Sequence, residues 1–591
     1  MKLKKEIIYI FIIFSIAYII RGMPSWLNWG WGNDFGIYYG LTKKIVEEPQ
    51  LFPSYDGWGS SYNYFPLLYI LIAAFHVITR LDIAFLLKVM APVIGSLSIV
   101  IFYYIIKTVK KENNFAFLSA LILAFNPFHA YQTSHAAPLT IGHFLLMLSL
   151  LFFFKKEEKG IALPCLYIST ILLIISHHLT TFIYIFIILG ITVFRKIYHK
   201  DNDFHSNVLY FIFLTSLTFS YWKLVAKPVF QNYISPTLNL SPILFLLLFY
   251  LFTSFIFIFI NIYRFNFKTK IYSERKELIM ALLIFIILFS FAIIFCIYDF
   301  RTGFKFKPSA VILLLPTFLF ASLSAIGWNR MKTENYEPEI KGMFYSLVAI
   351  FFFSIIVKNL VIMIRLIEYL AYPFSALAAV GMLSVIKRIS IVDIKVKKAR
   401  ATFSVFFVAM FLTGATTYNV QKATLQYEES ISVEVYKAIK FLENISKNFT
   451  IASDHRISTL LWANGFNATY DYVYHLWYST SWNETKCLRE LKGIGSHNFG
   501  RIEYVIIDSV MVKYGIQSNI NETPKPIDAK AYNKFNHEPF ELIFEAKSKE
   551  SRKYADEYPC IDYLDKPLPN AKEWCRIYKV NWTYIESYKD L

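Results

Sequence analysis

Long apolar runs separated by short polar connections fill residues 1–420, and they stop beyond that point. Most runs approach the ~20 residues that an α-helix needs to cross the hydrocarbon core of a bilayer. We therefore predict a polytopic α-helical membrane protein with about thirteen transmembrane helices. The predicted spans are 6–22, 83–106, 115–131, 138–154, 161–176, 179–194, 207–222, 242–263, 278–298, 309–326, 343–357, 366–386 and 402–418.

Basic side chains recur at every second connection between these runs, a pattern typical of cytoplasmic loops. The alternation holds only if the apolar segment 64–80 does not cross the membrane. This segment is short and aromatic at its start, so we interpret it as a helix that lies in the interface or re-enters. The N-terminus is then cytoplasmic, and the loop 23–82 is extracytoplasmic. The basic groups fall at 2–5, 107–111, 155–159, 195–200, 264–276, 330–341 and 387–400.

Residues 421–591 lose the long apolar runs and carry 22 Lys and Arg against 23 Asp and Glu. We predict an extracytoplasmic mixed α/β domain there, following a transmembrane domain at 1–420. Asp454-His455-Arg456 comes after the first predicted strand, and two interpretations stay open, a surface loop or a part of an acceptor site. An amphipathic helix is predicted at 432–445, and strands are predicted at 450–453, 504–508, 540–544 and 576–580.

Composition narrows the class of protein. The chain is 56% hydrophobic and has a net charge of +18. Because the tail is nearly neutral, the positive excess belongs to the membrane region, where it reports orientation and not nucleic-acid binding. Five cysteines do not make a disulfide scaffold. The lysine-rich start is followed by an apolar run without a small-residue cleavage site, which favours an uncleaved first span over a signal peptide.

Asp34 is the main candidate for chemistry. It lies in Gly30-Trp31-Gly32-Asn33-Asp34, just beyond the first predicted span, where a carboxylate can meet a lipid-borne substrate at the interface. A helix that begins at Phe35 could also use Asn33 or Asp34 as an N-cap, and the two roles can coexist. Asp56, in the same loop, is a second candidate acid.

Several cations on the predicted extracytoplasmic side are not explained by orientation. Arg365 enters an apolar helix, where an arginine needs an anion, either Glu368 three residues later or the phosphate of a substrate. For each single lysine, the alternative to phosphate binding is anchoring to lipid headgroups. For the histidine pair 177–178, the alternative is a polar break between two spans. The other candidate phosphate-binding residues are Arg301, Lys305, Lys227 and His178.

These features together resemble the GT-C superfamily of integral-membrane glycosyltransferases, which take sugars from polyprenyl-phosphate carriers. The resemblance is carried by the acid after the first span (Asp34), the aromatic-Pro-Leu segment 62–69, and Arg365 with Tyr372-Pro373 near a late span. Thirteen spans with an extracytoplasmic C-terminal domain look like the aminoarabinose transferases and the relatives of the protein O-mannosyltransferases.

Two departures qualify the resemblance. Many family members carry two neighbouring acids in the first loop, whereas Asn33 precedes Asp34 here, and this departure weakens the case for metal dependence. A divalent cation (Mg²⁺ or Mn²⁺) stays a candidate cofactor, and no metal ligands are assigned. Residues 461–465 read Leu-Trp-Ala-Asn-Gly, whereas oligosaccharyltransferases have Trp-Trp-Asp-Tyr-Gly in the external domain. Transfer of a whole oligosaccharide to asparagine is therefore not expected.

The resemblance implies transfer of a sugar from a polyprenyl-phosphate donor to a protein, lipid or glycan acceptor, with Asp34 as general base. It also implies a multi-pass protein of the cell membrane, in contact with membrane lipids. A transporter or flippase of lipid-linked sugars is one alternative, and it predicts charges along a midplane pathway and repeated halves. A non-catalytic membrane scaffold is the other, and it leaves Asp34 and the external cations without a role.

Overall fold

The computed structural model describes most of the chain, and the statements below concern that part. The described residues are 2–59, 61–158, 160–198, 203–234, 238, 240–263, 273–298, 305–331, 338–357, 359–391, 395–424, 426, 428–445, 447–494, 499–516, 524–549 and 571–588. Arg301, one of the predicted phosphate-binding residues, lies outside them.

The membrane part is a bundle of helices connected by short loops. A helix is present at each of the thirteen predicted spans, and the span at 115–131 is divided in two at Asn126-Pro127. The helices are α1 (Lys2–Leu27), α2 (Phe35–Glu47), α3 (Leu67–Thr79), α4 (Ile83–Lys110), α5 (Asn113–Phe125), α6 (Pro127–Gln132), α7 (Pro138–Lys155), α8 (Ala162–Ile174), α9 (His178–Ile197), α10 (Phe204–Leu224), α11 (Pro242–Ile262), α12 (Glu274–Ile297), α13 (Ser309–Arg330), α14 (Pro338–Ile356), α15 (Leu360–Ile391), α16 (Lys395–Ala415) and α17 (Thr417–Thr424).

Length and hydropathy support the prediction of a polytopic membrane protein. Among the described residues, nine helices are long and apolar enough to cross a membrane, and a tenth results if the bent pair α16–α17 counts as one span. Helix α3 has 13 residues, which is about 20 Å at 1.5 Å per residue. It is too short to cross a hydrocarbon core of about 30 Å unaided, in agreement with the prediction that segment 64–80 does not span. Helices α5 and α8 also have 13 residues each, so the described helices support nine or ten spans, fewer than the thirteen predicted.

Glycines allow the membrane helices to approach closely. A Cβ on Gly327 of α13 would lie 1.9 Å from the carbonyl oxygen of Leu377 on α15, and one on Gly381 would lie 2.0 Å from the oxygen of Leu323. Gly190 of α9 and Gly342 of α14 meet in the same way. Small residues at such crossings are typical of membrane bundles, where association depends on van der Waals packing.

The tail folds around a five-stranded mixed sheet, which contains the four predicted strands and one, β4, that the sequence did not predict. The sheet order is β4-β3-β5-β7-β6, with β3 parallel to β4 and β5 and with β7 antiparallel to β5 and β6. The strands are β3 (Thr450–Ala452), β4 (Asn467–Ala468), β5 (Ile502–Asp508), β6 (Phe540–Lys547) and β7 (Trp574–Val580). The helices are α18 (Val433–Glu443), α19 (His455–Ala463), α20 (Tyr474–Tyr478), α21 (Thr485–Leu491), α22 (Ser509–Lys513), α23 (Ala529–Asn533) and α24 (Trp582–Ser587).

A short antiparallel ladder joins the first loop to the start of the tail. Strand β1 (Gly30–Trp31) pairs with β2 (Ser430–Ile431), so the residues after α1 and those after α17 lie side by side. The backbone N–H of Gly32 continues this contact by donating to the carbonyl oxygen of Glu429 at 3.1 Å. The ladder places the acidic segment that follows Trp31 against the tail.

Candidate functional site

Helix α2 packs directly on α19 of the tail, and a glycine permits the contact. A Cβ added to Gly36 would lie 2.3 Å from the backbone nitrogen of Leu460, so only a glycine fits at this crossing. One turn before Gly36, the hydroxyl of Thr459 donates to the carbonyl oxygen of Asn33 at 3.2 Å. These contacts hold Asn33 and Asp34 against α19.

Asp34 occupies the N-cap position of α2, but its side chain makes no capping hydrogen bond. Its carboxylate is directed elsewhere. Oδ1 lies 2.9 Å from Nε2 of His455, and Oδ2 accepts from the hydroxyl of Tyr62 at 2.9 Å. The hydroxyl of Tyr38 is 3.4 Å from Oδ2. Of the two roles that the sequence left open, the geometry does not support capping by the Asp34 side chain.

His455 is the first residue of α19 and is bound on both sides. Its Nδ1 lies 3.1 Å from Oδ2 of Asp471, and the indole of Trp58 packs edge-on against its ring with 4.6 Å between centroids. The interpretation of Asp454-His455-Arg456 as a surface loop is therefore wrong. Asp454 caps α19 by accepting from the N–H of Ile457 at 3.1 Å, so capping turns the next side chain towards Asp34.

The pKa values of this pair are shifted in opposite directions. Burial would raise the pKa of Asp34, but the hydrogen bond and positive charge of His455 outweigh burial, and Tyr62 and Arg365 add to them, so the pKa falls below its ordinary 3.8. Burial would lower the pKa of His455, but Asp471 and Asp34 raise it from 6.5 to about 10. At neutral pH the pair is thus a carboxylate and an imidazolium.

Arg365 is the predicted cation that the structure associates with Asp34. It lies half-buried on α15, and its Nη1 donates to the amide oxygen of Gln132 at the end of α6. Among the described residues, Gln132 is the one hydrogen-bond acceptor of this guanidinium. Its positive charge acts on the carboxylates of Asp34 and Glu429. Because a guanidinium carries five N–H donors, Arg365 retains donors for an anion.

Glu368 does not neutralise Arg365 through a hydrogen bond. The side chain is 2% exposed, and neither carboxylate oxygen has a hydrogen-bond partner among the described residues. Nε2 of His143 lies 3.8 Å from Oε1 of Glu368. Glu368 is nevertheless the first of the negative charges that act on Arg365. Both partners that the sequence offered Arg365, Glu368 and an external anion, therefore stay open.

A buried polar chain extends from Arg21 of α1 to the same helix, α15. Arg21 lies 3.0 Å from Nδ1 of His129, whose Nε2 is 3.0 Å from the hydroxyl of Tyr372. That hydroxyl is also 2.7 Å from Nδ1 of His143. The sequence analysis missed this chain, because its members come from four separate helices that only tertiary packing brings together.

The other predicted site residues lie outside this arrangement. The side chain of Asp56 is 84% exposed and accepts from the indole N–H of Trp462 at 2.9 Å. Lys227 and Lys305 are exposed. His178 begins α9, and its ring lies 5.2 Å from that of Phe65, just before α3. Of the predicted site residues, Asp34 and Arg365 are therefore the two whose charges act on each other.

Three residues of the site were missed by the sequence analysis: His455 as a partner of Asp34, Asp471, and Gln132. The available signal was Asp454, an acid directly after a strand and before an apolar helix, which is a typical N-cap. An N-cap at residue 454 places residue 455 in the first turn of the helix, where its side chain can contact the segment that packs over the end of β3. Nothing local pointed to Asp471 or Gln132.

The donor set around Asp34 does not fit a divalent cation. Metal ligands must be deprotonated, whereas His455 and Tyr62 both present hydrogens to the carboxylate. In the described part of the chain, no group of three or more His, Cys, Asp or Glu side chains is arranged to hold a metal ion. The Mg²⁺ or Mn²⁺ that the family resemblance offered therefore has no ligand set among the described residues.

An apolar cavity of about 720 Å³ lies within the membrane part, between α5–α6, α12, α13, α14 and α15. Phe291, Phe318 and Phe374 contribute rings, and Asn126 and Pro127 form part of the wall. Helix α6 runs from Pro127 to Gln132, the partner of Arg365, a rise of about 8 Å at 1.5 Å per residue. The cavity wall and the cation are thus connected by a single short helix.

Comparison with known proteins gives similarity in structure and not in sequence. No protein-family model matches the chain, and no curated protein matches it in sequence. The oligosaccharyltransferase AglB from Archaeoglobus fulgidus, solved in complex with an inhibitory peptide and a dolichol-phosphate, has a similar structure. Its TM-score is 0.60 at 12% identity, and the match covers 98% of this chain and 89% of AglB.

The arabinofuranosyltransferase AftD from Mycobacteria is also similar, with a TM-score of 0.50 at 11% identity. That match covers 97% of this chain but 40% of AftD. Both proteins are GT-C membrane glycosyltransferases. The chain has the GT-C fold, a helical membrane bundle followed by a C-terminal region with a small mixed sheet, as the sequence predicts.

Proposed function

We propose that this protein is a membrane glycosyltransferase that moves a sugar from a polyprenyl-phosphate donor to an acceptor on the extracytoplasmic face. The GT-C neighbours support a membrane glycosyltransferase in general. The observation that carries the proposal is Asp34, a carboxylate kept ionised at the end of the first membrane helix, within the electrostatic reach of Arg365.

The reaction is a single displacement at the anomeric carbon of the donor. The acceptor oxygen attacks that carbon, and its proton passes to the carboxylate of Asp34, which acts as general base. The bond between the anomeric carbon and the phosphate oxygen breaks, and its electron pair leaves with the polyprenyl phosphate. An ionised carboxylate has about four lone-pair positions. Three are used by His455, Tyr62 and Tyr38, so one remains for the acceptor hydroxyl.

Arg365 stabilises the charge that develops on the departing phosphate. A guanidinium binds phosphate through two parallel N–H donors, and Gln132 fixes the orientation of this one through Nη1. The side chain is half-buried, so its attraction for an anion is weakened less by water than that of the exposed Lys227 and Lys305. Asp34 and Arg365 thereby divide the two tasks, proton removal and leaving-group stabilisation.

The apolar cavity is our candidate site for the hydrocarbon chain of the donor. Its volume of about 720 Å³ lies in the range of ordinary ligand pockets, roughly 300–1,000 Å³. The cavity opens among membrane helices, and α6 links its wall to the partner of Arg365. A donor whose tail occupies the cavity can therefore direct its phosphate towards the guanidinium.

The acceptor approaches from the side of the tail, because His455 and Asp471 of that region border Asp34. The AglB structure contains a peptide, which supports a protein acceptor in general. Trp58, Tyr55 and Trp462 form an aromatic wall beside the carboxylate, with 5.0 Å between the rings of Tyr55 and Trp462. Such a wall suits a sugar, a peptide or a lipid headgroup.

The test uses the purified full-length chain in lipid nanodiscs with a panel of polyprenyl-phosphate sugars and peptide, lipid and glycan acceptors. Mass spectrometry of released polyprenyl phosphate reports transfer and distinguishes it from transport. We expect Asp34→Asn to lower the rate by at least about 10²-fold, the usual contribution of a general base. Glu48→Gln, an exposed acid in the same loop, is the matched control and keeps the wild-type rate. A wild-type rate in Asp34→Asn contradicts the proposal.

A further inference from the structure

The two ring nitrogens of His455 both face carboxylate oxygens. Nε2 lies 2.9 Å from Asp34, and Nδ1 lies 3.1 Å from Asp471. Ionised carboxylates only accept hydrogen bonds, and a neutral imidazole has one N–H. The form of the ring that satisfies both contacts is therefore the imidazolium, with a hydrogen on each nitrogen.

We infer that His455, held by Asp471, is the built-in cation of this site, a positioning residue from the tail that fixes the carboxylate of Asp34 and balances its charge in the place of a metal ion. The inference rests on the proposed function for its catalytic consequence. The ion bridge itself follows from the contacts, whatever the reaction is.

The bridge leaves Asp34 little freedom to rotate. One carboxylate oxygen is bound to His455 and the other to Tyr62, from two different segments of the protein. His455 is itself fixed by Asp471 and by the ring of Trp58. Rigid second contacts of this kind hold a reacting group in its productive geometry. The hydroxyl of Tyr38 also lies on Oδ2, so the lone pair that remains is on Oδ1 and is presented in one direction.

The charges around His455 favour its protonated form. Asp34 faces it from the first loop, together with Tyr62, and Asp471 faces it from the segment after β4, together with Tyr470. The groups in direct contact with the ring nitrogens are thus both acids. These contacts raise the pKa of His455 to about 10, and the imidazolium in turn keeps Asp34 ionised although burial opposes this.

The bridge also explains how the partly buried carboxylate of Asp34 can stay ionised without a metal ion beside it. A carboxylate in a partly buried site pays a desolvation cost unless a positive charge compensates it. Here the compensating charge is covalently part of the chain. When Asp34 takes the proton of the acceptor hydroxyl, His455 stays paired with Asp471, so the site does not acquire an uncompensated cation.

Solid-state NMR of the full-length chain in nanodiscs, with ¹⁵N-labelled histidine, tests the bridge without any substrate. His455→Gln assigns the resonances by difference. We expect both ring nitrogens of His455 to have the shifts of an imidazolium at pH 8, where an unperturbed histidine is neutral. A neutral ring with one unprotonated nitrogen at pH 8 overturns the inference.

Magnesium chloride is the probe for the competing arrangement, in which His455 and Asp34 ligate a metal. Binding of Mg²⁺ at this site would displace the ring proton, because a metal ligand must be deprotonated. We expect the imidazolium signal to persist at millimolar Mg²⁺. Loss of that signal on adding Mg²⁺ overturns the inference in favour of a metal site.

The pH profile of transfer separates positioning from a merely structural role. In His455→Gln, burial acts on Asp34 without the compensating cation, so we expect the acid limb of the profile to move to higher pH. In Asp471→Asn, the imidazolium signal is lost at a lower pH than the value of about 10 expected for the wild type. His475→Gln, a tail histidine outside the site, keeps the wild-type profile.

The two proposals fail separately. If the chain consumes no donor while the NMR signal is that of an imidazolium, the glycosyltransferase proposal falls and the ion bridge stands. If Asp34→Asn abolishes transfer while the acid limb of His455→Gln coincides with that of the wild type, the role of His455 falls and the proposed reaction stands.

Discussion

At the scale of single residues, the strength with which a cation can bind an anion depends on how far its side chain is shielded from water. Arg365 is half-buried and has one described acceptor, Gln132, whereas Lys227 and Lys305 are exposed to solvent. A cation in a partly buried site interacts with an anion more strongly than an exposed one, because water screens it less. The position of a charge along the sequence does not reveal this difference.

Replacement of Arg365 is expected to impair the donor step specifically. Arg365→Gln removes the charge but keeps a polar side chain, and kcat/KM for the polyprenyl-phosphate donor is expected to fall about 10²–10³-fold, the usual cost of one charge-stabilising donor. Steady-state kinetics of polyprenyl phosphate release give the value. Lys223→Gln, an exposed cation at the end of α10, should leave kcat/KM unchanged. Equal effects of the two variants would remove Arg365 from the phosphate site.

At the scale of elements, the contact between α2 and α19 aligns Asp34 with His455. The crossing is close because Gly36 has no side chain and the backbone of Thr459 and Leu460 occupies that space. Capping by Asp454 determines where α19 begins and hence where His455 points. Two local features, a glycine and an N-cap, therefore set the geometry of Asp34, the proposed general base.

Gly36→Ala tests this contact. The new Cβ would lie 2.3 Å from the nitrogen of Leu460, so α2 and α19 must separate. Overpacking of this kind typically costs about 1–3 kcal/mol. We expect a lower melting temperature and a loss of transfer activity beyond what the stability change explains. Glu47→Ala, at the exposed end of the same helix, is the control. Wild-type stability and activity in Gly36→Ala would show that α2 and α19 are not in close contact.

The sequence predicted the helices and strands better than it predicted which residues come into contact in the folded protein. Spans and tail strands follow from hydrophobic periodicity, which is local, and helices and strands occur where that pattern placed them. Asp34 and Arg365 were recognisable because a charge beside an apolar run is conspicuous. His455 and Asp471 could not be assigned to Asp34, because their approach depends on tertiary packing between segments 421 positions apart.

At the scale of the whole molecule, the proposal requires that the first loop and the tail share one side of the membrane. The β1–β2 ladder and the Asp34–His455 contact place them together. The positive-inside rule predicts that this side is opposite the cytosol. Sidedness is therefore a property of the molecule that one labelling experiment can address.

Cysteine accessibility in intact cells provides the measurement. Single cysteines at Glu47 and Glu586 are expected to react with a membrane-impermeant maleimide applied from outside, because both positions are exposed and the predicted topology places them outside the cytosol. A cysteine at Lys111, at the end of α4, is expected to react only after permeabilisation. Labelling of the first two positions on opposite sides would contradict both the topology and the assembled site.

The ladder between Gly30–Trp31 and Ser430–Ile431 has a consequence for biosynthesis. Asp34 leaves the ribosome early, but His455 follows 421 residues later, a delay of roughly 20–80 s at ~5–20 residues per second. During that interval the nascent chain carries its acid without the partner that orients it. In the proposed mechanism, an unfinished copy in the translocon therefore lacks the contact that orients its general base, and the site is assembled only after residue 455 has been synthesised.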